Sequence, residues 1–146
     1  MAKFNYRMQN ILDLKYKLED QQRMAFSEAN EKLNEENEKL KKLIIRRAMY
    51  EAKAKELVSG TLDFKSISEN RHAIEVMKSH IRTQMIAVKN AENEVDLQRK
   101  KLNDVMIERK SQEKLKEKAF EGFKQEMSAA EAKEIDELVS FTHGSK

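Results

Sequence analysis

At 146 residues, with 39% of side chains hydrophobic and 38% charged, the chain is one domain at most and too polar for a thick globular core. It has no proline and three glycines, so little interrupts a helix, and no cysteine, which excludes a disulfide framework and thiolate chemistry. The net charge of +3 comes from interleaved signs, as in Glu28–Lys32, Glu35–Lys39, Glu38–Lys42 and Glu51–Lys55, pairs at i,i+4 that read as solvated helix faces.

The opening MAKFNYRMQNILD lacks the apolar core of a signal peptide, and nowhere do enough apolar residues run together to span a membrane. A cytoplasmic protein is the expectation. Phe4, Met8, Ile11, Lys15, Leu18, Gln22, Ala25 and Ala29 alternate spacings of four and three, which predicts the buried seam of a first helix over about residues 3–58. After Ala29 an extra step of four reaches Leu33, a stutter that relaxes the supercoil, and the register resumes through Glu36, Leu40, Leu43, Arg47, Tyr50, Ala54 and Leu57. Lys39, Lys41, Lys42, Arg46 and Arg47 form the densest basic cluster, without the interleaved aromatics of a nucleic-acid platform.

Residues 59–65 break the period. Gly60 stands where a helix would end on a left-handed residue, and Ser66 with Glu69 matches a capping box that would start a second helix over about residues 66–140, leaving 141–146 as a tail. That helix carries Ile67, Ile74, Ile81, Val88, Val95 and Leu102, aliphatic residues seven apart without a miss, with Met77, Gln84, Ala91, Gln98 and Val105 as a companion row. The fold class that follows is all-α, a long antiparallel two-helix coiled-coil hairpin forming a single rod, with the C-terminal end of the second helix projecting.

Folding the two seams together about the turn pairs residues whose numbers sum to 124, for example Leu43 with Ile81, Leu40 with Gln84 and Glu36 with Val88. Every such layer near the turn has an apolar member. Toward the termini the same sum places Phe4 against Phe120 but also Lys15 against Arg109, a like-charge layer that predicts a looser open end. Beyond residue 123 the second helix has no partner left on the first. Phe123, Met127, Ala130, Ile135, Leu138 and Phe141 continue at helical spacing there among acidic residues, a stripe that predicts burial by a partner, with Gly122 as a hinge at its root.

A two-helix rod has no place for a concave, dry site, so the chain reads as no enzyme, with no cofactor and no metal. His72 and His80 lie eight apart, too far along a helix to share an ion, and His143 lies in the tail.

Three stretches taken together go further: Lys3 through Leu14, the turn around Gly60, and Glu108 through Lys110 followed by Glu131 through Glu137. In order and spacing they resemble the flagellar export family FliJ over nearly the whole length. The resemblance implies a coiled coil similar to that of a rotary ATPase γ subunit. It implies a stalk of the flagellar type III export apparatus, inserted in a hexameric flagellar export ATPase and coupling it to a membrane export gate protein, with a place in the cytoplasm at the inner face of the membrane. Escort of export chaperones is a further implied role. Candidate ring contacts are then Phe4, Tyr6, Met8, Ile11, Leu12, Phe123, Met127, Ile135 and Leu138, and candidate gate contacts are Leu43, Tyr50, Met77 and Gln84. Where the family has an aromatic early in the second helix, this chain has Ala73. The alternative readings are the stalk of a virulence secretion system or of a vacuolar-type ATPase, and a general scaffold or chaperone binding client helices.

Overall fold

A computed structural model describes residues 2–144, with side chains through residue 140; Met1, Ser145 and Lys146 lie outside it, as do the side chains of Phe141 and His143. Among the described residues there are two helices and no strand, α1 (Gln9–Leu57) and α2 (Phe64–Gly144), packed against each other as a hairpin. Helix α2 therefore continues into the expected tail. Helix α1 begins at Gln9 rather than near residue 3, because the chain leaves the helical path there: Gln9 N–H bonds the Tyr6 carbonyl (3.1 Å), and Phe4 packs its ring on Phe120 and Phe123.

The turn differs from its sequence reading at both ends. No glycine among the described residues has a positive φ, so Gly60 does not close α1 in a left-handed conformation. Ser59 closes it instead, its N–H (3.2 Å) and its Oγ (2.7 Å) both bonding the Glu56 carbonyl. Helix α2 is capped by Asp63, not by Ser66 with Glu69. The Asp63 carboxylate accepts from the N–H of Lys65 (3.2 Å) and of Ser66 (3.5 Å), and Ser66 Oγ donates to its other oxygen (2.8 Å). Aspartate outcompetes serine as a cap here because its charge also meets the positive end of the helix. The same hydrogen bonds from Ser66 hold the Asp63 carboxyl below the usual carboxylate range.

The chain divides into two compact units, one of residues 22–102 and one of residues 1–21 with 103–146. The first unit holds the turn and the whole aliphatic ladder from Ile67 to Leu102. Ile81, Val88 and Val95 are buried there, with Met77, Ala91 and Ala29. Its seam also buries polar groups, and these find one another across the helices. Asn70 Nδ2 donates to the Tyr50 carbonyl (3.0 Å), Gln84 Nε2 to the Glu36 carbonyl (2.9 Å) and carboxylate, and Gln22 Nε2 to Gln98. The residue numbers of each pair sum to 120, so each polar residue is bonded four residues away from the one that a sum of 124 sets opposite it. Glu36 and Asn70 are buried, and a buried carboxylate or amide costs roughly 1–3 kcal/mol for each hydrogen bond it goes without, so Glu36 takes the half-buried Gln84 side chain and Asn70 the Tyr50 main-chain carbonyl. The three bridges recur every fourteen residues on both helices, and a heptad slip would break all of them at once.

Glu36 shows how the charge pattern adapts. It is 6% exposed, and Lys32 (2.9 Å) and Lys39 (3.4 Å) both lean over it, whereas the sequence pairs them with Glu28 and Glu35. Hydrogen bonds from Lys32 foremost, then from Gln84 and Lys39, lower the Glu36 carboxyl from 4.5 to about 2 against the opposing effect of desolvation.

Candidate partner-binding surfaces

In the terminal unit, the expected repulsion between Lys15 and Arg109 does not arise. Arg109 instead forms a fork on Glu19, Nε to Oε2 at 2.7 Å and Nη2 to Oε1 at 3.1 Å, while its Nη1 reaches Glu113 (3.1 Å). Lys15 takes Glu108 at 2.9 Å. Tyr16 closes the cluster by donating its hydroxyl to Glu113, and the Arg109 guanidinium lies 6.0 Å from the Tyr16 ring centre. Long side chains let each cation bypass the other, Arg109 selecting Glu19, one turn along α1 from Lys15, and Lys15 selecting Glu108, next to Arg109 in sequence; planar, bidentate pairing on a carboxylate suits arginine in particular. The hydrogen bond from Tyr16 is the main cause that lowers the Glu113 carboxyl, and the same bond raises the Tyr16 hydroxyl. Glu19, above all, raises the Arg109 guanidinium further.

Around this network the candidate ring contacts separate by exposure. Leu12, at 2%, is the most deeply buried apolar side chain of the described core, and it lines an open pocket of about 450 Å³ with Phe4, Gln9, Tyr16 and Phe120. Phe4 packs between Phe120 (5.0 Å, edge to face) and Phe123 (5.4 Å). Tyr6 is half-buried with its hydroxyl inside, and Phe123 and Met127 are half-buried. These side chains build the stem. Met8, Ile11, Ile135 and Leu138 are exposed, the last two at 60% and 66%. From Ser128 to Ser140 every side chain of α2 is exposed, Val139 included, so the six apolar residues of this stretch are left uncovered by the rest of the unit.

In the turn-bearing unit, the candidate gate contacts belong to the seam. Met77 is buried, Gln84 is engaged with Glu36, and Leu43 and Tyr50 are half-buried. Two exposed apolar patches escaped the sequence reading. Val58, Leu62 and Phe64 crowd the turn, Phe64 at 76% exposure, and Ile44, Ile45 and Met49 lie on α1 away from the seam. Both consist of apolar residues off the heptad rows, which is the signal they leave in the sequence. Among the described residues no group of three or more His, Cys, Asp or Glu could hold a metal ion, and no helix is long and apolar enough to cross a membrane.

A family model described as "Flagellar FliJ protein" matches residues 4–146, which is all but the first three residues of the chain. The chain belongs to the flagellar FliJ family. No curated protein and no solved structure matches it. Membership makes the chain a component of the flagellar export apparatus, with partners in that apparatus.

Proposed function

We propose that this FliJ-family chain is the non-catalytic stalk of the flagellar type III export apparatus. Its terminal unit is gripped by a hexameric export ATPase, and its turn-bearing unit meets a membrane export gate protein. The observation that carries the reading is the bare end of α2. A helix exposing Ile135, Leu138 and Val139 among glutamates is marginal in water and gains stability when a partner covers that stripe. Met8 and Ile11 add exposed apolar surface on α1, whereas Phe4, Tyr6, Leu12, Phe123 and Met127 act by stiffening the stem that the ring holds.

On the gate side, Leu43, Tyr50 and Gln84 offer half-exposed flanks, and buried Met77 supports them from below. The chain then works at the inner face of the cell membrane, and its escort of export chaperones would use the same exposed helices. Pull-down with the purified export ATPase tests the reading. Ile135→Asp with Val139→Asp alters only exposed positions and reduces capture at least about tenfold if two apolar contacts worth roughly 1 kcal/mol each are lost. Capture equal to wild type would overturn it.

A further inference from the structure

The charges of this chain look evenly mixed over its length, but two helical stretches are segregated, and they complement each other. Between Lys39 and Tyr50, α1 carries five basic and no acidic residues. Within and just beyond this stretch Ile45, Ala48, Met49 and Ala52 stand at i, i+3, i+4 and i+7, the spacing of a helix face meant for burial. That face is not the seam: Ile45 is two residues from both Leu43 and Arg47, about 200° around the helix from each. Ile45 is 50% and Met49 66% exposed, and both alanines are exposed as well. Lys41, Lys42 and Arg46 rim the stripe, and no ion pair among the described residues engages them, whereas neighbouring Lys39 and Arg47 are held by Glu36 and Glu51.

The end of α2 has the opposite charge. Between Glu126 and Val139 it carries five acidic residues and one basic, Lys133. Ala132, Ile135 and Val139 form its exposed apolar stripe at i, i+3 and i+7, and Glu134 and Asp136 flank Ile135 at about 100° on either side, while Lys133 falls on the far face at about 200°. The two stripes share apolar groups at i, i+3 and i+7, each includes an alanine that permits close approach, and their flanking charges are opposite in sign.

We propose that the chain self-associates, the acidic apolar stripe at the end of α2 of one copy lying on the basic apolar stripe on the outer face of α1 in a second copy. Self-association of this kind covers the α2 stripe that the proposed function gives to the ring, and it is read on the chain alone, without a ring. It is a helix-on-helix contact in which buried aliphatic groups supply affinity and the flanking charges select partner and direction. Each copy carries one stripe of each kind, so contacts either close on two copies or extend into longer assemblies.

Sedimentation equilibrium on the full chain tests this from about 5 to about 500 μM, a range that captures the weak to moderate affinity expected of two short stripes. The weight-average mass rises with concentration at about 50 mM NaCl and less so at about 500 mM, where screening shortens the reach of the flanking charges. The triple variant Lys41→Glu, Lys42→Glu, Arg46→Glu and the double variant Glu134→Lys, Asp136→Lys each weaken association by roughly tenfold or more, since like charges then face one another. Mixed together, the two variants associate again, because the reversed α1 of one meets the reversed α2 of the other. A wild-type chain that stays monomeric throughout the range would overturn the proposal, as would variants whose mixture remains monomeric. Retention of wild type on anionic vesicles while it stays monomeric in solution would overturn it in favour of a lipid surface.

Discussion

Leu12→Ala is the sharpest perturbation of the terminal unit. Leu12 is 2% exposed, and its loss removes three carbons from the contact between Phe4, Tyr16 and Phe120. Leucine-to-alanine changes in cores cost about 2–5 kcal/mol, and the open pocket beside this one lets water and neighbouring rings relax into the space, so the lower half of that range applies, about 2.5 kcal/mol. That corresponds to roughly 70-fold more frequent opening of the stem. Hydrogen–deuterium exchange reads it directly. Amides of residues 9–20 and 109–120 exchange faster by about that factor, while those around Ile81, Val88 and Val95, in the other compact unit, keep their protection. An equal loss of protection in both units would refute the division of the hairpin, and a change of less than about threefold would refute the placement of Leu12 in the stem core.

The buried carboxylate of Glu36 makes stability depend on acid. Because its folded pKa is lowered from 4.5 to about 2, its contribution is present above pH 4.5 and is lost as pH falls toward 2, so thermal melts at pH 7 and pH 3 should differ less for Glu36→Gln than for wild type. Gly60→Ala and Gly122→Ala should each leave stability unchanged or raise it by about 0.5–1 kcal/mol in denaturant titrations, since neither added methyl meets an atom within 4 Å and neither glycine has a positive φ. A loss at Gly60 would restore the left-handed helix end expected from the sequence. Asp63→Ala should lower the melting temperature more than Glu69→Ala does, because Asp63 holds the first amides of α2; the reverse order would reinstate the capping box.

The hairpin itself was legible because its signal is redundant. Six aliphatic residues from Ile67 to Leu102 repeat every seventh position, and no proline interrupts them. The overhang is legible for the same reason, as apolar residues at helical spacing with no seam left to meet them, and the exposure of Ile135 and Leu138 agrees. What the pattern hid lies in side-chain reach. A layer rule that asks only for one apolar member treats Glu36, Asn70, Gln84 and Gln98 as tolerated defects, whereas their hydrogen bonds link one turn of the hairpin to the next. The same blindness set Lys15 against Arg109, although each has an acid within range of its long side chain. Caps were misassigned because Asp63 and Ser66 both suit a helix start and only geometry ranks them. The outer stripe of α1 lies off the heptad rows, so its apolar spacing is masked by the stronger signal of the seam on the same helix.

A cryo-EM reconstruction of the hexameric flagellar export ATPase mixed with this chain asks the central question most directly. Density for the stem, with α2 beyond Ser128 enclosed on the ring axis, is the result the stalk assignment predicts. A saturated complex in which the axis is empty and the chain sits on the outer surface of the ring, with Ile135 and Val139 still facing solvent, would contradict it.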